Sequence, residues 1–224
     1  MTKRKSVPIL FLLFTIIFQI STESADQIVI DDFTGPELAP GWSVESFAGM
    51  TEYTLTRDND IPCLKAVSRR AASGLVYRIN IDPQLYPVIS WSWKIDRVLA
   101  KGDARTKAGD DYAARLYVIF PSVLFWRTKV LNYVWANQLP RGAAMPNAFT
   151  GNAMMVAVES GNGKAGQWVH EQRNILEDYQ KYFGSSPGKV GAIAIMTDTD
   201  NTGEEAAACY GPIRLQSTLK PTSD

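Results

Sequence analysis

The chain has 224 residues, 46% of them hydrophobic and 21% charged, and its 23 lysines and arginines balance 23 aspartates and glutamates. A neutral chain without a basic run lacks the charge that neutralises phosphates, so nucleic acid is not expected as a partner. The length suffices for one domain with its own hydrophobic core.

The first residues carry the pattern of an export signal. Residues 3–5 are basic, residues 7–20 are apolar apart from two positions, and residues 21–25 are mostly small. This order predicts a cleavable signal peptide over residues 1–25. The apolar run is shorter than the roughly 20 residues that a spanning helix needs, so no transmembrane anchor is expected after cleavage. We therefore expect a periplasmic or secreted protein.

Most of the remaining chain has the pattern of strands. Ten segments alternate apolar with polar residues or are short β-branched and aromatic runs. They are residues 27–33, 51–57, 63–67, 74–81, 88–95, 112–120, 130–136, 153–159, 167–173 and 190–197. This number of strands predicts a mostly β fold, a two-sheet antiparallel β-sandwich that is jelly-roll-like. We expect it to form a single domain over residues 26–219, followed by a flexible tail over residues 220–224.

One segment has helical periodicity. Apolar residues recur at spacings of three and four between Ile175 and Phe183, Asn174 is suited to cap the first turn, and Gly184 is suited to end the last. The sequence therefore predicts one short helix near residues 174–183.

Two cysteines, Cys63 and Cys209, lie near opposite ends of the predicted domain. In an oxidising compartment such a pair usually forms a disulfide, which would make the terminal strands neighbours. The alternatives are two separately buried thiols, or a thiol paired with the single histidine, His170. We favour the disulfide Cys63–Cys209.

Five segments are distinctive as motifs. They are residues 89–96 (ISWSWKID), 109–120 (GDDYAARLYVIF), 131–136 (LNYVWA), 166–174 (GQWVHEQRN) and 195–204 (IMTDTDNTGE). Together they resemble the bacterial family called domain of unknown function 3047. The resemblance implies an exported β-sandwich, similar in outline to jelly-roll modules that bind carbohydrate, and it implies no particular activity. The chain departs from the family pattern at Pro212, where the family has an acid, so any metal contact of that acid does not transfer.

The predicted strands sort their residues by face. Trp91 and Trp93 share one face of their strand and are best explained as core, the alternative being platforms for sugar rings. If the strands lie side by side, the face opposite the core gathers a charged and aromatic patch. This patch is the predicted ligand-binding site, and it comprises Lys94, Arg115, Tyr117, Glu159, Glu171 and Arg173. The alternative is a solvated sheet face held by weak cross-strand ion pairs.

The stretch that follows the last predicted strand is rich in hard oxygen ligands. Asp198, Asp200, Asn201 and Glu204 supply carboxylate and amide oxygens of the kind that bind Ca²⁺. Their spacing is not that of an EF-hand, and the alternative is an Asp/Asn/Gly turn between strands. No organic cofactor is indicated, and Ca²⁺ is the one ion that the sequence suggests.

Signatures of catalysis are few. One histidine cannot build the common zinc sites, and neither a Gly-x-Ser-x-Gly elbow nor a phosphate-binding or nicotinamide-binding glycine loop is present. A carboxylate mechanism with Glu159 and Glu171 in glycoside cleavage stays open, as does a lyase with Tyr117 as base beside Arg115.

The sequence thus favours a non-catalytic protein that binds a saccharide or a cell-envelope glycan. A carbohydrate-active enzyme is the second interpretation. The third is an envelope interaction protein with an exposed apolar patch, which would comprise Phe125, Trp126, Leu131, Tyr133 and Trp135.

Overall fold

The structure is a computed structural model, and it describes residues 27–217. The predicted signal peptide over residues 1–25 and the predicted tail over residues 220–224 lie outside the described residues.

Besides loops and two short 3-10 helices, the described chain contains fourteen strands and one α-helix. In chain order they are β1 (Gln27–Asp31), β2 (Trp42–Ala48), β3 (Glu52–Asp58), β4 (Ile61–Arg69), β5 (Ala72–Ile81), β6 (Val88–Ile95), β7 (Arg115–Phe120), β8 (Lys129–Ala136), β9 (Ala144–Pro146), β10 (Ala153–Ser160), β11 (Val169–Asn174), α1 (Ile175–Phe183), β12 (Val190–Asp198), β13 (Glu205–Tyr210) and β14 (Ile213–Gln216). All ten predicted strands are present.

Four further strands were not predicted, namely β2, β9, β13 and β14. β9 has three residues and β14 has four, which is too short for a periodic pattern to show. β13 reads Glu-Ala-Ala-Ala-Cys-Tyr, and alanine and glutamate are depleted in strands. Pairing with β4 and β6 stabilises β13 in spite of its local composition.

The strands form two sheets, as predicted. In sheet A, β6 is central: β11 pairs with one of its edges, and β13 and β14 pair with the other. Beyond them, β4 and β3 extend the sheet next to β13, while β1 pairs with β14. Sheet B has the order β2–β5–β12–β7–β8–β10–β9. The mostly β, jelly-roll-like two-sheet sandwich is therefore confirmed.

Sheet B is not purely antiparallel. β8 and β10 pair in parallel, whereas β9 pairs with β10 in the antiparallel sense. The reason is that β10 lies between β8 and β9, and the chain reverses direction twice on its way from β8 through β9 to β10.

The predicted helix is confirmed with its caps. The Asn174 side chain accepts hydrogen bonds from the N–H groups of Leu176 and Glu177, and Gly184 ends the helix in the left-handed conformation with φ of 70°. Tyr179 packs against Phe120 of β7 with a ring-centroid distance of 4.7 Å.

The core lies between the two sheets and is rich in aromatic rings. Trp91 of β6 stacks on Tyr133 of β8 at 5.3 Å between centroids, and Trp93 lies 6.1 Å from Trp135. All four are buried, and burial of each such ring contributes about 4–6 kcal/mol by area before entropy is counted. The prediction that both tryptophans of β6 are core residues is confirmed.

Candidate functional site

The six residues predicted to form one binding patch do not share a face. Leu116 and Val118 of β7 face the core. Arg115 and Tyr117 alternate with them along the strand, so they project from the outer face of sheet B. Lys94 projects from the outer face of sheet A, on the other side of the sandwich, and the remaining three residues face the interior. The single patch is therefore corrected. Strand alternation shows which residues share a side of a strand, but it does not show which layer that side faces.

Glu171 and Arg173 face the interior because of their pairing. They lie opposite Trp91 and Ile89 of β6, and directly opposite residues in an antiparallel pair point to the same side of the sheet. Both residues of β6 belong to the core. The prediction that Glu171 and Arg173 share a side holds, but that side is the inside of the sandwich.

Glu159 reaches the interior through a β-bulge. The pairing of β10 with β8 shifts between Ala157 and Glu159, so that Val158 is an extra residue. The bulge places Glu159 opposite Trp135, which is in the core, and reverses the face that simple alternation predicts. Lys164 Nζ lies 2.8 Å from Glu159 Oε2 and compensates the buried charge.

Arg173 is held by a buried carboxylate of the helix. Its Nε lies 2.8 Å from Asp178 Oδ2, and its second N–H group binds the other Asp178 oxygen. Asp178 also accepts a hydrogen bond of 2.8 Å from the Tyr133 hydroxyl. Arg173 therefore joins β11, α1 and β8, and its guanidinium is engaged by the Asp178 carboxylate.

Glu171 and Glu159 differ in how their charges are compensated. Burial raises the pKa of Glu171 to about 7, and Glu171 Oε1 has no hydrogen-bond partner among residues 27–217. Burial acts on Glu159 in the same direction, but the hydrogen bonds from Lys164 and from the Ser160 N–H outweigh it, and the pKa of Glu159 is lowered.

We expect Glu171→Gln to stabilise the protein more at pH 8 than at pH 5. The folded-state pKa of Glu171, about 7, exceeds the ordinary value of 4.5. The folded state therefore binds this proton more tightly than the unfolded state, and wild-type stability falls as pH rises through this interval. The wild type loses about 3 kcal/mol of its free energy of unfolding in this way, and the variant does not. Urea unfolding at the two pH values measures the difference.

Glu159→Gln is the matched control for this experiment. Because the pKa of Glu159 is lowered, its carboxylate stabilises the fold above the ordinary pKa, and this stabilisation is lost as pH falls. Glu159→Gln should therefore lose stability at pH 8. Parallel pH profiles for the wild type and Glu171→Gln would contradict the assignment.

Lys94 forms an ion pair far from Arg115. Its Nζ lies 2.6 Å from Asp58 Oδ2, which also accepts a hydrogen bond of 2.8 Å from Trp168 Nε1. The hydrogen bond from Lys94 lowers the pKa of Asp58. For Lys94, the alternative interpretation of an ion pair on a sheet face fits the structure.

The two cysteines are neighbours on the outer face of sheet A. Cys63 lies on β4 and Cys209 on β13, which pair directly, and both carry free thiols. The Cys63 thiol donates a hydrogen bond to the Cys209 sulfur, which raises the pKa of Cys63 and lowers that of Cys209. The predicted proximity of the terminal strands is confirmed, and the disulfide itself stays a prediction.

The outer face of sheet B contains a cleft of about 530 Å³. Its floor includes Tyr117 and Ile119 of β7, Asn132 of β8 and Met196 of β12. Small-molecule sites typically have volumes of about 300–1,000 Å³, with mostly apolar walls and a few polar groups. This cleft is therefore the candidate binding site.

Two phenylalanines flank the cleft. Phe47 comes from β2 and Phe149 from the loop between β9 and β10, and these strands form opposite edges of sheet B. The two residues are 74% and 56% exposed. Lys107 Nζ lies 5.2 Å from the centre of the Phe149 ring. Exposed rings on both sides of a cleft offer flat apolar faces to a ligand.

Two buried acceptors of residues that line the cleft have no hydrogen-bond partner among the described residues. Asn132 is buried, and its Oδ1 has no partner among the described residues. Asp110 Oδ1 likewise has no hydrogen bond there, and its ion-pair contact with Arg115 is 3.6 Å long. An unpaired buried acceptor is costly, so these two atoms lower the stability of the cleft floor.

Arg115 is buried at one end of the cleft. It holds Asp198 with two N–H groups, the Nε contact being 2.8 Å, and its terminal nitrogen donates to the Asp110 carbonyl oxygen at 2.7 Å. This fork fixes β7 to β12 and brings the chain before β7 to the cleft.

Tyr117 is not tuned to act as a base. Burial raises its pKa, and the charge of Arg115 only partly opposes that shift. The Tyr117 hydroxyl lies 3.5 Å from Met196 Sδ. Because a tyrosine base requires a lowered pKa, this geometry does not favour the lyase interpretation.

Two of the four predicted metal ligands form a cluster with an acid that was not predicted. One carboxylate oxygen each from Asp111, Asp198 and Asp200 lie within 4.8 Å of one another. Burial, and then the Asp111 carboxylate, raise the pKa of Asp200. Asn201 is beside the cluster, where its side-chain nitrogen donates to Asp200 Oδ2 at 2.9 Å.

Glu204, the fourth predicted ligand, serves another purpose. Its carboxylate accepts hydrogen bonds from the N–H groups of Ala100 and Lys101 at 3.2 and 2.8 Å. Its place in the predicted ligand set is therefore corrected, since its oxygens anchor the loop after β6.

The predicted apolar patch is also corrected. Phe125 and Trp126 are 79% and 58% exposed, but Leu131, Tyr133 and Trp135 are buried. The last three alternate along β8 and face the core, whereas the first two lie in the turn that precedes it.

Sequence reasoning missed most residues of the site, among them Phe47, Asp110, Asp111, Asn132 and Phe149. A signal existed for two of them. Asp110 and Asp111 precede the strand of Arg115 in one of the distinctive segments, and adjacent acids next to a buried arginine indicate a charge cluster.

The described residues define a two-sheet β-sandwich with a cleft on one outer face. The family model for protein of unknown function (DUF3047) matches residues 40–214. The chain belongs to this family, as the resemblance of its motifs indicated. No curated protein matches the chain.

Several solved structures share its outline at low similarity. Lectin I-B4 from Griffonia simplicifolia has a TM-score of 0.45 and 10% identity, with 86% of this chain and 99% of the lectin covered. A CBM27-1 module from Caldicellulosiruptor saccharolyticus, in complex with mannohexaose, has a TM-score of 0.44 and 11% identity, with 88% and 100% covered.

The third structure is the glycoside hydrolase domain of Endo-D from Streptococcus pneumoniae, with a TM-score of 0.37 and 9% identity. Coverage is 80% of this chain, which spans 22% of the length of that domain. TM-scores below 0.5 do not establish a shared fold. The fold of this chain is therefore assigned from its own strand pairing.

Among residues 27–217, no helix is both long and apolar enough to cross a membrane.

Proposed function

We propose that this chain is an exported, non-catalytic protein that binds a saccharide or cell-envelope glycan in the cleft of sheet B. The observation that carries the proposal is the combination of two exposed phenylalanines with accessible polar side chains around one cleft. A sugar ring has apolar C–H faces and a rim of hydroxyl donors. Phe47 and Phe149 suit the faces, and the accessible polar side chains of Asp200 and Asn201 suit the hydroxyls.

The position of the candidate catalytic acids supports binding without conversion. Glu159 and Glu171 lie inside the sandwich, and neither lines the cleft. A pair of carboxylates that cleaves a glycosidic bond must flank that bond on its two sides. The cleft and this acid pair are in different layers of the molecule.

We expect Phe149→Ala to weaken saccharide binding about tenfold or more. The variant removes one aromatic wall, and a ring contact contributes about 0.5–1.5 kcal/mol beyond the apolar area that it buries. Isothermal titration calorimetry of the wild type against soluble polysaccharides and envelope glycans first identifies a ligand. The variant is then titrated with the same ligand.

Phe125→Ala is the matched control, because Phe125 is 79% exposed but lies outside the cleft. It should leave the affinity unchanged. The proposal fails if the folded wild type binds no member of the panel, or if both variants weaken binding equally.

A further inference from the structure

The acidic cluster at the end of the cleft is built from two separate parts of the chain. Asp198 ends β12, Asp200 lies in the loop after it, and Asp111 lies in the segment before β7. The segments are already joined by hydrogen bonds. The Asp198 N–H donates to the Tyr112 carbonyl at 3.2 Å, and the Thr202 N–H donates to Asp111 Oδ2 at 2.6 Å. These contacts hold Asp198 and Asp111 in place.

Asp111 has an oxygen that the protein leaves without a partner. The residue is fully buried, with 0% exposure, and its Oδ1 accepts no hydrogen bond from residues 27–217. A carboxylate oxygen of Asp111 also lies within 4.8 Å of a carboxylate oxygen of Asp200. A buried carboxylate that faces a second carboxylate and has a vacant oxygen is unfavourable without a positive charge between them.

The charges around this cluster do not balance. Asp110, Asp111, Asp198 and Asp200 supply four carboxylates, and Arg115 is the cation bound among them. Arg115 pairs with Asp198 and Asp110, and the described ion pairs include no cation on Asp111 or Asp200. The two uncompensated carboxylates are those that face each other.

We propose that Asp111, Asp198 and Asp200 bind a Ca²⁺ ion at this end of the cleft. Ca²⁺ takes oxygen ligands at about 2.3–2.6 Å, so two oxygens on one ion can lie up to about 5 Å apart. The separations within 4.8 Å satisfy this condition. Asp111 and Asp200 are the main ligands, because Arg115 already engages both oxygens of Asp198. Asp200 lines the cleft, where water completes the coordination shell.

The ion would neutralise the repulsion between Asp111 and Asp200 and fix the loop after β12 against the segment before β7. This inference does not depend on the proposed saccharide binding. It adds Asp111 to the predicted ligand set and omits two residues of it. The Asn201 side-chain nitrogen donates to Asp200, and Glu204 holds backbone N–H groups elsewhere.

Calorimetric titration of the full-length protein with CaCl₂ tests this site, after EDTA treatment and dialysis and without saccharide. We expect one Ca²⁺ per chain and a melting temperature that rises with Ca²⁺ concentration. Asp111→Asn should lower the affinity about tenfold or more, because affinity follows the charge of the ligands. The new amide side chain keeps an oxygen that can accept from the Thr202 N–H. Asp200→Asn, at a less buried position, should give a similar loss and covers the case in which Asp111→Asn fails to fold.

Glu204→Gln is the matched control and should leave the Ca²⁺ affinity unchanged. The proposal is overturned if the folded wild type binds no Ca²⁺, if Mg²⁺ binds more tightly than Ca²⁺, or if Glu204→Gln weakens Ca²⁺ binding as much as Asp200→Asn does.

Discussion

Replacing Arg115 with methionine is expected to lower the free energy of unfolding by about 3–5 kcal/mol. Arg115 is buried and bonds two carboxylates, those of Asp198 and Asp110. Methionine fills much of the same volume but brings no charge. The variant therefore leaves two buried anions without their cation, close to Asp111 and Asp200.

Urea unfolding in the presence of EDTA measures this effect, since the chelator prevents a metal ion from replacing the lost charge. Arg78→Met is the matched control. Arg78 pairs with Glu45 at 3.4 Å, but the two side chains are 74% and 49% exposed. An exposed ion pair contributes less than about 1 kcal/mol, so this control should be nearly neutral.

Arg115→Lys separates charge from geometry. Lysine restores the positive charge but cannot form the two-pronged contact with Asp198. We therefore expect a free energy of unfolding between that of the wild type and that of Arg115→Met. A loss for Arg115→Met no larger than that for Arg78→Met would contradict the role of Arg115 as the cation that compensates this acidic cluster.

The second large effect concerns oxidation of the cysteine pair. We expect oxidised glutathione to join Cys63 and Cys209 in an intramolecular disulfide. The two thiols lose two protons and transfer two electrons to the oxidant, which becomes two molecules of reduced glutathione. The lowered pKa of Cys209 favours its thiolate as the attacking group.

The expected stabilisation is on the order of 5 kcal/mol in the chain-entropy model, because the bond closes most of the domain into one loop. It is an upper value, since Cys63 and Cys209 are diagonal neighbours on their strands and the bond requires a local adjustment. Thiol titration and intact-mass measurement detect the bond, and urea unfolding with and without dithiothreitol measures its effect.

Cys63→Ala serves as the control for oxidation, because it retains Cys209 but cannot form the intramolecular bond. Its stability should not respond to dithiothreitol. If both thiols of the folded wild type stay titratable after equilibration with oxidised glutathione, the disulfide prediction is wrong.

The local features of this protein were predictable where the pattern itself has a physical cause. The strand over residues 88–95 alternates large apolar residues with small or charged ones, and burial of one face follows from that alternation. The helix was predictable because Asn174 and Gly184 satisfy the backbone at its two ends by local contacts. In contrast, the alanine-rich β13 is a strand only because β4 and β6 flank it.

The sequence by itself determined the number of main strands, the helix with its caps, and which residues of β6 and β7 share a side. Only the tertiary structure decided where those sides point. It placed Lys94 and Arg115 on opposite outer faces, turned Glu159 inward through the bulge at Val158, and joined Asp111 to Asp198 and Asp200. The physical reason is that alternation and capping act between near neighbours in the chain, whereas the partner of each strand and face is chosen by packing between distant segments.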